Sequence, residues 1–393
     1  MKVVSVFAVI GLAAVGCTSA EPTPTPDPDL ISFSVQTTVA PASEVQLCKY
    51  ITMPTDRGDV LAIDRIQHDY TEGSHHFLVY QTTLESIPQG GEELVACDES
   101  NWMSVVRGVA YAAQSPAGEI VMPEGVSQRF RAGEVLLVQT HYLNPGAQAL
   151  SARVDFDLRL TTVEKAPTEA GFLFFFNPII HLPPNASASA ELSCPIPEDV
   201  NLIFAASHMH KQGVSYDAHL ESDGTKTKLY ETDDWSEPLP AAFEGTEGAV
   251  PAGSRITYSC QFENTGKETI MAGPSAQTDE MCMFIGLYYP RLDTTTELCN
   301  RGAAVTKGTT SCLDTVKCAG ACDADDKECR ATCLDQVCPT AAIPMLRFLQ
   351  CFGPKCSDTC KSLGADSPEC KSCATANCLT EASTCQSATC PTP

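Results

Sequence analysis

The chain has 393 residues, enough for two or three domains, and 43% of them are apolar, enough to fill real cores. Its formal charge of −24 argues against nucleic acid as a partner, because phosphate needs a positive field, and reads as solubility with a capacity to gather cations. Twenty-one cysteines are too many for a reducing compartment, so export is the first expectation.

The N-terminus agrees with export. Lys2 precedes an apolar run from Val3 to Val15, which ends in Ala14-Val15-Gly16-Cys17. A basic start, an apolar stretch and small residues before a cut describe a secretory signal over residues 1–17. The cysteine directly after those small residues is similar to a bacterial lipobox, which would make Cys17 the lipidated first residue of an exported protein on the outer face of a membrane. The competing reading is an ordinary cleaved signal with an incidental cysteine. Residues 18–30 are rich in Pro, Thr and Asp, and a tether is expected over 18–40. No internal apolar run is long enough to span a bilayer.

Residues from about 31 to 305 read as β. Short runs such as Glu134–Tyr142, Ala152–Thr161, Gly171–Ile180, Leu202–His210 and Met281–Tyr289 are separated by Gly, Pro, Asn and Asp. The expected fold class is mainly β: two antiparallel, jelly-roll-like β-sandwiches over 41–162 and 168–305, divided near Val163–Glu169. A small, disulfide-rich, partly helical tail then covers 310–393. It holds fourteen cysteines in two alignable blocks, Cys312 to Cys338 and Cys351 to Cys378, followed by Cys385 and Cys390. A duplicated unit held by disulfides is expected, since so small a segment builds no large core. Zinc or cluster binding is the alternative for the tail, although no histidine follows His219.

The eight histidines are clustered in sequence. His208 and His210 form an H-x-H, and residues two apart in a strand share a face, so both can reach one ion. His75 and His76 are adjacent and point to opposite faces of a regular strand. They share a metal only at a strand end or bulge, for which Gly73-Ser74 supplies an irregularity. Taken singly, each of these residues is more readily a hydrogen-bonded or exposed histidine, and Met281 is core filling.

Together the motifs resemble a known family. His75-His76, then Gln139-Thr140-His141-Tyr142, then His208-Met209-His210, then Asp279-Glu280-Met281-Cys282 follow the order of the copper type II, ascorbate-dependent monooxygenases. The gaps of 65, 67 and 71 residues between successive motifs are also similar to the family's. The resemblance implies two coppers per chain, facing each other across a solvent-filled cleft. His75, His76 and His141 would hold the electron-supplying ion, and His208, His210 and Met281 the oxygen-binding ion. It implies O2, a small-molecule substrate and ascorbate or another one-electron donor, with no catalytic side chain beyond the ligands, and Gln139 lining the cleft. Six cysteines outside Cys17 and the tail allow fifteen pairings. The resemblance selects Cys48–Cys97, Cys194–Cys299 and Cys260–Cys282.

The chain departs from the peptide-hydroxylating members. Ala206 stands where they place an arginine, Met283 and Ile285 where they place asparagine and tyrosine, and Gln46 where they place a tyrosine. A C-terminal glycine peptide is therefore not the expected substrate, and a less charged one is. The alternative function is a copper-binding or copper-buffering surface lipoprotein without hydroxylase activity. A third reading is an adhesion module whose histidines are incidental.

Overall fold

The computed structural model describes residues 27–71, 74–97, 102–323, 325–364 and 367–390. The expected signal segment and Cys17 lie outside the described residues. Among those described, no helix is long and apolar enough to cross a membrane.

The first sandwich contains strands β1 (Leu30–Val39), β2 (Ser43–Thr52), β3 (Val60–Tyr70), β4 (Ser74–Thr82), β5 (Val95–Ala96), β6 (Val106–Ala113), β7 (Ala117–Val121), β8 (Val126–Arg131), β9 (Val135–Asn144), β10 (Leu150–Thr161) and β11 (Thr168–Glu169). One sheet runs β1-β10-β3-β8-β11, with β7 also on β3, and the other runs β5-β2-β9-β4-β6. Alternation explains the outer sheet: Ala152, Val154, Phe156 and Leu158 of β10 are buried, and the residues between them face outward.

Two boundaries differ from expectation. Leu30–Val39, assigned to the tether, pairs with β10 along its whole length and buries Ile31, Val35 and Val39. Apolar residues at every fourth position give it one face to bury, which the Pro-rich residues before it lack. Thr168–Glu169, assigned to the second sandwich, pairs in parallel with β8 of the first.

The second sandwich contains β12 (Gly171–Phe176), β13 (His181–Leu182), β14 (Ala186–Pro195), β15 (Val200–Met209), β16 (Gly213–Ser222), β17 (Thr225–Thr232), β18 (Ala241–Ala242), β19 (Ala249–Val250), β20 (Arg255–Asn264), β21 (Ile270–Met271), β22 (Cys282–Tyr289) and β23 (Ala303–Ala304). Its sheets run β12-β22-β15-β18 and β17-β16-β20-β14-β23. Strands β9 and β22 are buried on both faces. One face fills the core of its own sandwich, and the other looks across to the other sandwich.

Helix α1 (Thr294–Glu297) precedes the tail, which forms α2 (Cys312–Gly320), α3 (Lys327–Asp335), α4 (Ala342–Leu363), α5 (Pro368–Asn377) and α6 (Leu379–Ser387). The two cysteine blocks are helical hairpins with nested bridges: Cys318–Cys333 and Cys322–Cys329 in the first, Cys356–Cys373 and Cys360–Cys370 in the second. Cys351 and Cys378 close the second hairpin, whereas Cys312 and Cys338 of the first reach out to Cys385 and Cys390. Every tail cysteine is thus paired, which leaves no thiolate there for a metal.

The tail is not a separate body. Val337, Ile343, Met345 and Phe348 join the apolar core of the second sandwich. His181 on β13 ties α3 in place, with Nδ1 2.6 Å from Asp335 Oδ2 and Nε2 3.2 Å from Glu328 Oε2.

Candidate metal centre

Strand pairing places the histidines. Between β4 and β9, Ser74 stands opposite Tyr142 and His76 opposite His141, so His75 is the extra residue of a bulge. That irregularity lets both members of the adjacent pair turn toward one side. His208 and His210 project from the end of β15. Residue 282 of β22 pairs with Met209, so Met281 lies just beyond, alongside His210. Glu280 fixes this corner: one carboxylate oxygen accepts the backbone N–H groups of His210 (2.9 Å) and Met281 (3.2 Å), and the other accepts that of Gln212 (2.7 Å). Burial pushes the Glu280 carboxyl up to about 7, against the pull of these three donors.

Five imidazoles gather in one place. His76 lies 4.8 Å from His141 between ring centroids, and His75 lies 5.1 Å from His141, 5.1 Å from His208 and 5.5 Å from His210. Two triads have ligand atoms within 4.8 Å of one another, His75-His76-His141 and His75-His208-His210. The expectation of two cages across a solvent-filled cleft is corrected here: the triads abut, and His75 belongs to both. Hydrogen bonds between the sandwiches draw the rims together. Glu44 Oε2 accepts from Ser275 Oγ (2.9 Å), Glu44 Oε1 from the Ala276 N–H (2.8 Å), and Gln46 Nε2 donates to the Pro274 carbonyl (2.7 Å).

Three of the five rings are aimed by a partner behind them. His141 Nε2–H donates to Glu44 Oε1 (2.8 Å), His208 Nδ1–H to Gln114 Oε1 (2.7 Å) and His210 Nδ1–H to the Asp279 carbonyl (3.0 Å). The opposite nitrogen of each therefore carries the lone pair. His141 Nδ1, His208 Nε2 and His210 Nε2 are buried without a hydrogen-bond partner among the described residues, as are His75 Nε2 and both nitrogens of His76.

Five orphaned imidazoles at one point are costly for a protein alone. Burial, then repulsion among the rings themselves, holds His75, His76 and His208 well below the usual histidine range. Burial likewise lowers His210, to about 4. Imidazoles with free lone pairs, with Met281 in the same cavity wall as His76 and His208, fit a soft or borderline metal such as copper. Burial would raise the Glu44 carboxyl, but hydrogen bonds from His141, Ala276 and Ser275 outweigh it and hold the group at about 2.

The sheets β5-β2-β9-β4-β6 and β12-β22-β15-β18 line a shared cavity of about 1800 Å³ that His76, His208 and Met281 border. Gln139 lines it too, and accepts a hydrogen bond from Tyr80 Oη (3.3 Å). The remaining three histidines lie outside the cluster, although His68 also lines the cavity: His68 bonds Tyr111 and Ser115, His181 the tail, and His219 sits 3.1 Å from Asp217. Cys260–Cys282 bridges β20 to the residue after Met281, and Cys48–Cys97 and Cys194–Cys299 are also paired.

Residues 169–308 match the family model of the copper type II ascorbate-dependent monooxygenase, C-terminal domain. The matched span contains His208, His210 and Met281, while His75, His76 and His141 precede it. No curated protein matches the chain. Solved structures similar to parts of it include the major capsid protein P2 of bacteriophage PM2, at 12% identity and TM-score 0.29, covering 66% of this chain and 97% of that one. PNGase F, a glycosylasparaginase from Flavobacterium meningosepticum, has 10% identity and TM-score 0.29, covering 66% of this chain and 94% of its own. Neither likeness informs the function.

Sequence reasoning missed Glu44 and Gln114. Each meets its histidine across a long separation, and Gln114 does so from the other sandwich. Neither sits in a motif.

Proposed function

We propose that the chain is a copper-dependent monooxygenase that hydroxylates a C–H bond of a largely apolar small molecule, with O2 and a one-electron donor such as ascorbate. The observation that carries this reading is the set of five orphaned imidazole lone pairs beside Met281, opening on an apolar cavity. The match of residues 169–308 to the monooxygenase C-terminal domain supports it.

Five imidazoles with one lone pair each, plus one thioether, make six donors, three for each of two coppers. His75, His76 and His141 would hold one ion; His208, His210 and Met281 would hold the other. Bound copper supplies one-electron redox chemistry toward O2, so that a substrate C–H, O2, two electrons and two protons give C–OH and water. The chain's own residues do the rest. Glu44, Gln114 and the Asp279 carbonyl hold three rings in the tautomer that presents a lone pair inward. Glu280 keeps His210 and Met281 side by side. Met283, Ile285 and Phe174 line the cavity with apolar surface that excludes water and receives an apolar substrate.

The setting proposed is export, with lipid attachment at Cys17. Twenty of the twenty-one cysteines pair in disulfides, which supports an oxidising compartment and leaves Cys17 over. The deciding experiment supplies copper, ascorbate, O2 and a panel of apolar substrates. Oxygen consumed in step with hydroxylated product supports the enzyme; copper cycling without product points to a binding protein.

A further inference from the structure

The cavity has a second end, formed by the tail. In the sheet of the second sandwich, Phe176, Met283 and His208 stand side by side across three strands, and Phe174, Ile285 and Ala206 form the next row of the same face. Successive rows lie about 7 Å apart. Beyond them the wall passes to Leu298 and Arg301, which follow α1, and to Arg347 and Leu349 of α4.

Arg347 is anchored by neutral oxygens alone. Its Nε donates to Asn300 Oδ1 (2.8 Å), Nη1 to Gln350 Oε1 (3.0 Å) and Nη2 to the Leu298 carbonyl (2.9 Å). A guanidinium has five N–H groups, so two remain for a ligand. No carboxylate pairs with Arg347 among the described residues, although the chain carries 49 acidic against 25 basic side chains. A cation set into a wall without a counter-ion is costly unless an anion arrives. Arg301 and Lys355 line the same end, against one acid, Glu381, that makes no ion pair with any of the three among the described residues.

We infer that the α4 end of the cavity is an anion subsite. It takes the carboxylate of an elongated, otherwise apolar molecule, whose body lies along Phe174, Ile285 and Met283 toward the histidines. The planar guanidinium suits a carboxylate's two oxygens. A cavity of about 1800 Å³ has room for such a length. The cysteine-rich tail is thereby part of the binding compartment. That the distal C–H is the reacting bond rests on the monooxygenase reading; the anion subsite does not.

The test uses the full, disulfide-intact chain without copper, and compares binding of dodecanoate with that of 1-dodecanol by titration calorimetry. Dodecanoate is expected to bind at least ten-fold more tightly, and Arg347→Gln to bring it to the alcohol's level. Equal binding of the two by the wild type, or an undiminished preference in folded Arg347→Gln, overturns the inference. If Arg347→Gln does not fold, Arg347→Lys, which keeps the charge but loses the planar two-pronged donor, carries the test: a diminished preference supports the subsite and an undiminished one overturns it. Because copper is absent, failure here is separate from failure of the oxygenase reading.

Discussion

Gln114 of the first sandwich accepts the Nδ1–H of His208 in the second at 2.7 Å. Its amide nitrogen donates to the carbonyls of Trp235 (2.7 Å) and Ser236 (3.2 Å). One side chain thus joins the two sandwiches and decides which nitrogen of His208 is left for a metal. Gln114→Ala is expected to weaken copper binding by about 10–100-fold while leaving all five imidazoles in the chain. Competition with a chelator of known affinity measures this.

In the proposed copper sites Met281 would supply the soft donor. Met281→Ile keeps the volume of the side chain and removes the thioether. Cu(I) affinity is expected to fall more than Cu(II) affinity, because sulfur favours the reduced ion. Titration of both oxidation states in parallel checks the difference.

Away from the histidines, Arg291 ties the two sandwiches together. Its guanidinium donates to Glu297 (2.8 Å), to Glu169 (3.0 Å) and to Gln81 (3.2 Å), and the Glu297 side chain is only 3% exposed. Arg291→Leu leaves that carboxylate buried and unpaired, at a cost of about 3–5 kcal/mol. Urea unfolding of the two proteins reads the loss directly.

The His181 link between β13 and α3 makes stability depend on pH. Burial lowers the imidazole's proton affinity, but Asp335 and Glu328 outweigh it, so the folded value lies above the usual 6.5. A raised folded value contributes stability that is complete below about 6.5 and is lost as pH rises through the folded value. Wild type should therefore exceed His181→Gln in urea midpoint at pH 5.5, and the gap should narrow at pH 8.5.

Local pattern made part of this legible. The H-x-H parity, the irregularity needed at the adjacent pair and the alternation of β10 all follow from residues near one another in the chain. The register between β4 and β9 realises the second of these as a bulge at His75. Contacts between distant segments were not legible. No periodicity links Gln114 to His208, or Glu44 to Ser275, because those pairings arise only when two sandwiches dock. The same cause hid the abutting of the triads. β1 falls in text that reads as β-like from about residue 31, but Pro-rich composition just upstream put it outside the expected first sandwich. The tail's bridges out to Cys385 and Cys390 are likewise unreadable from two repeated blocks that could each have closed on themselves.

Copper content, with X-ray absorption on the loaded protein, decides whether the five imidazoles and Met281 are copper ligands. Two coppers per chain are expected, with nitrogen ligands and one sulfur neighbour in the reduced state, falling to about one copper per chain after His141→Ala. Loading that stays below one copper per chain, or that is unchanged by His141→Ala, would mean that these residues do not form two copper sites.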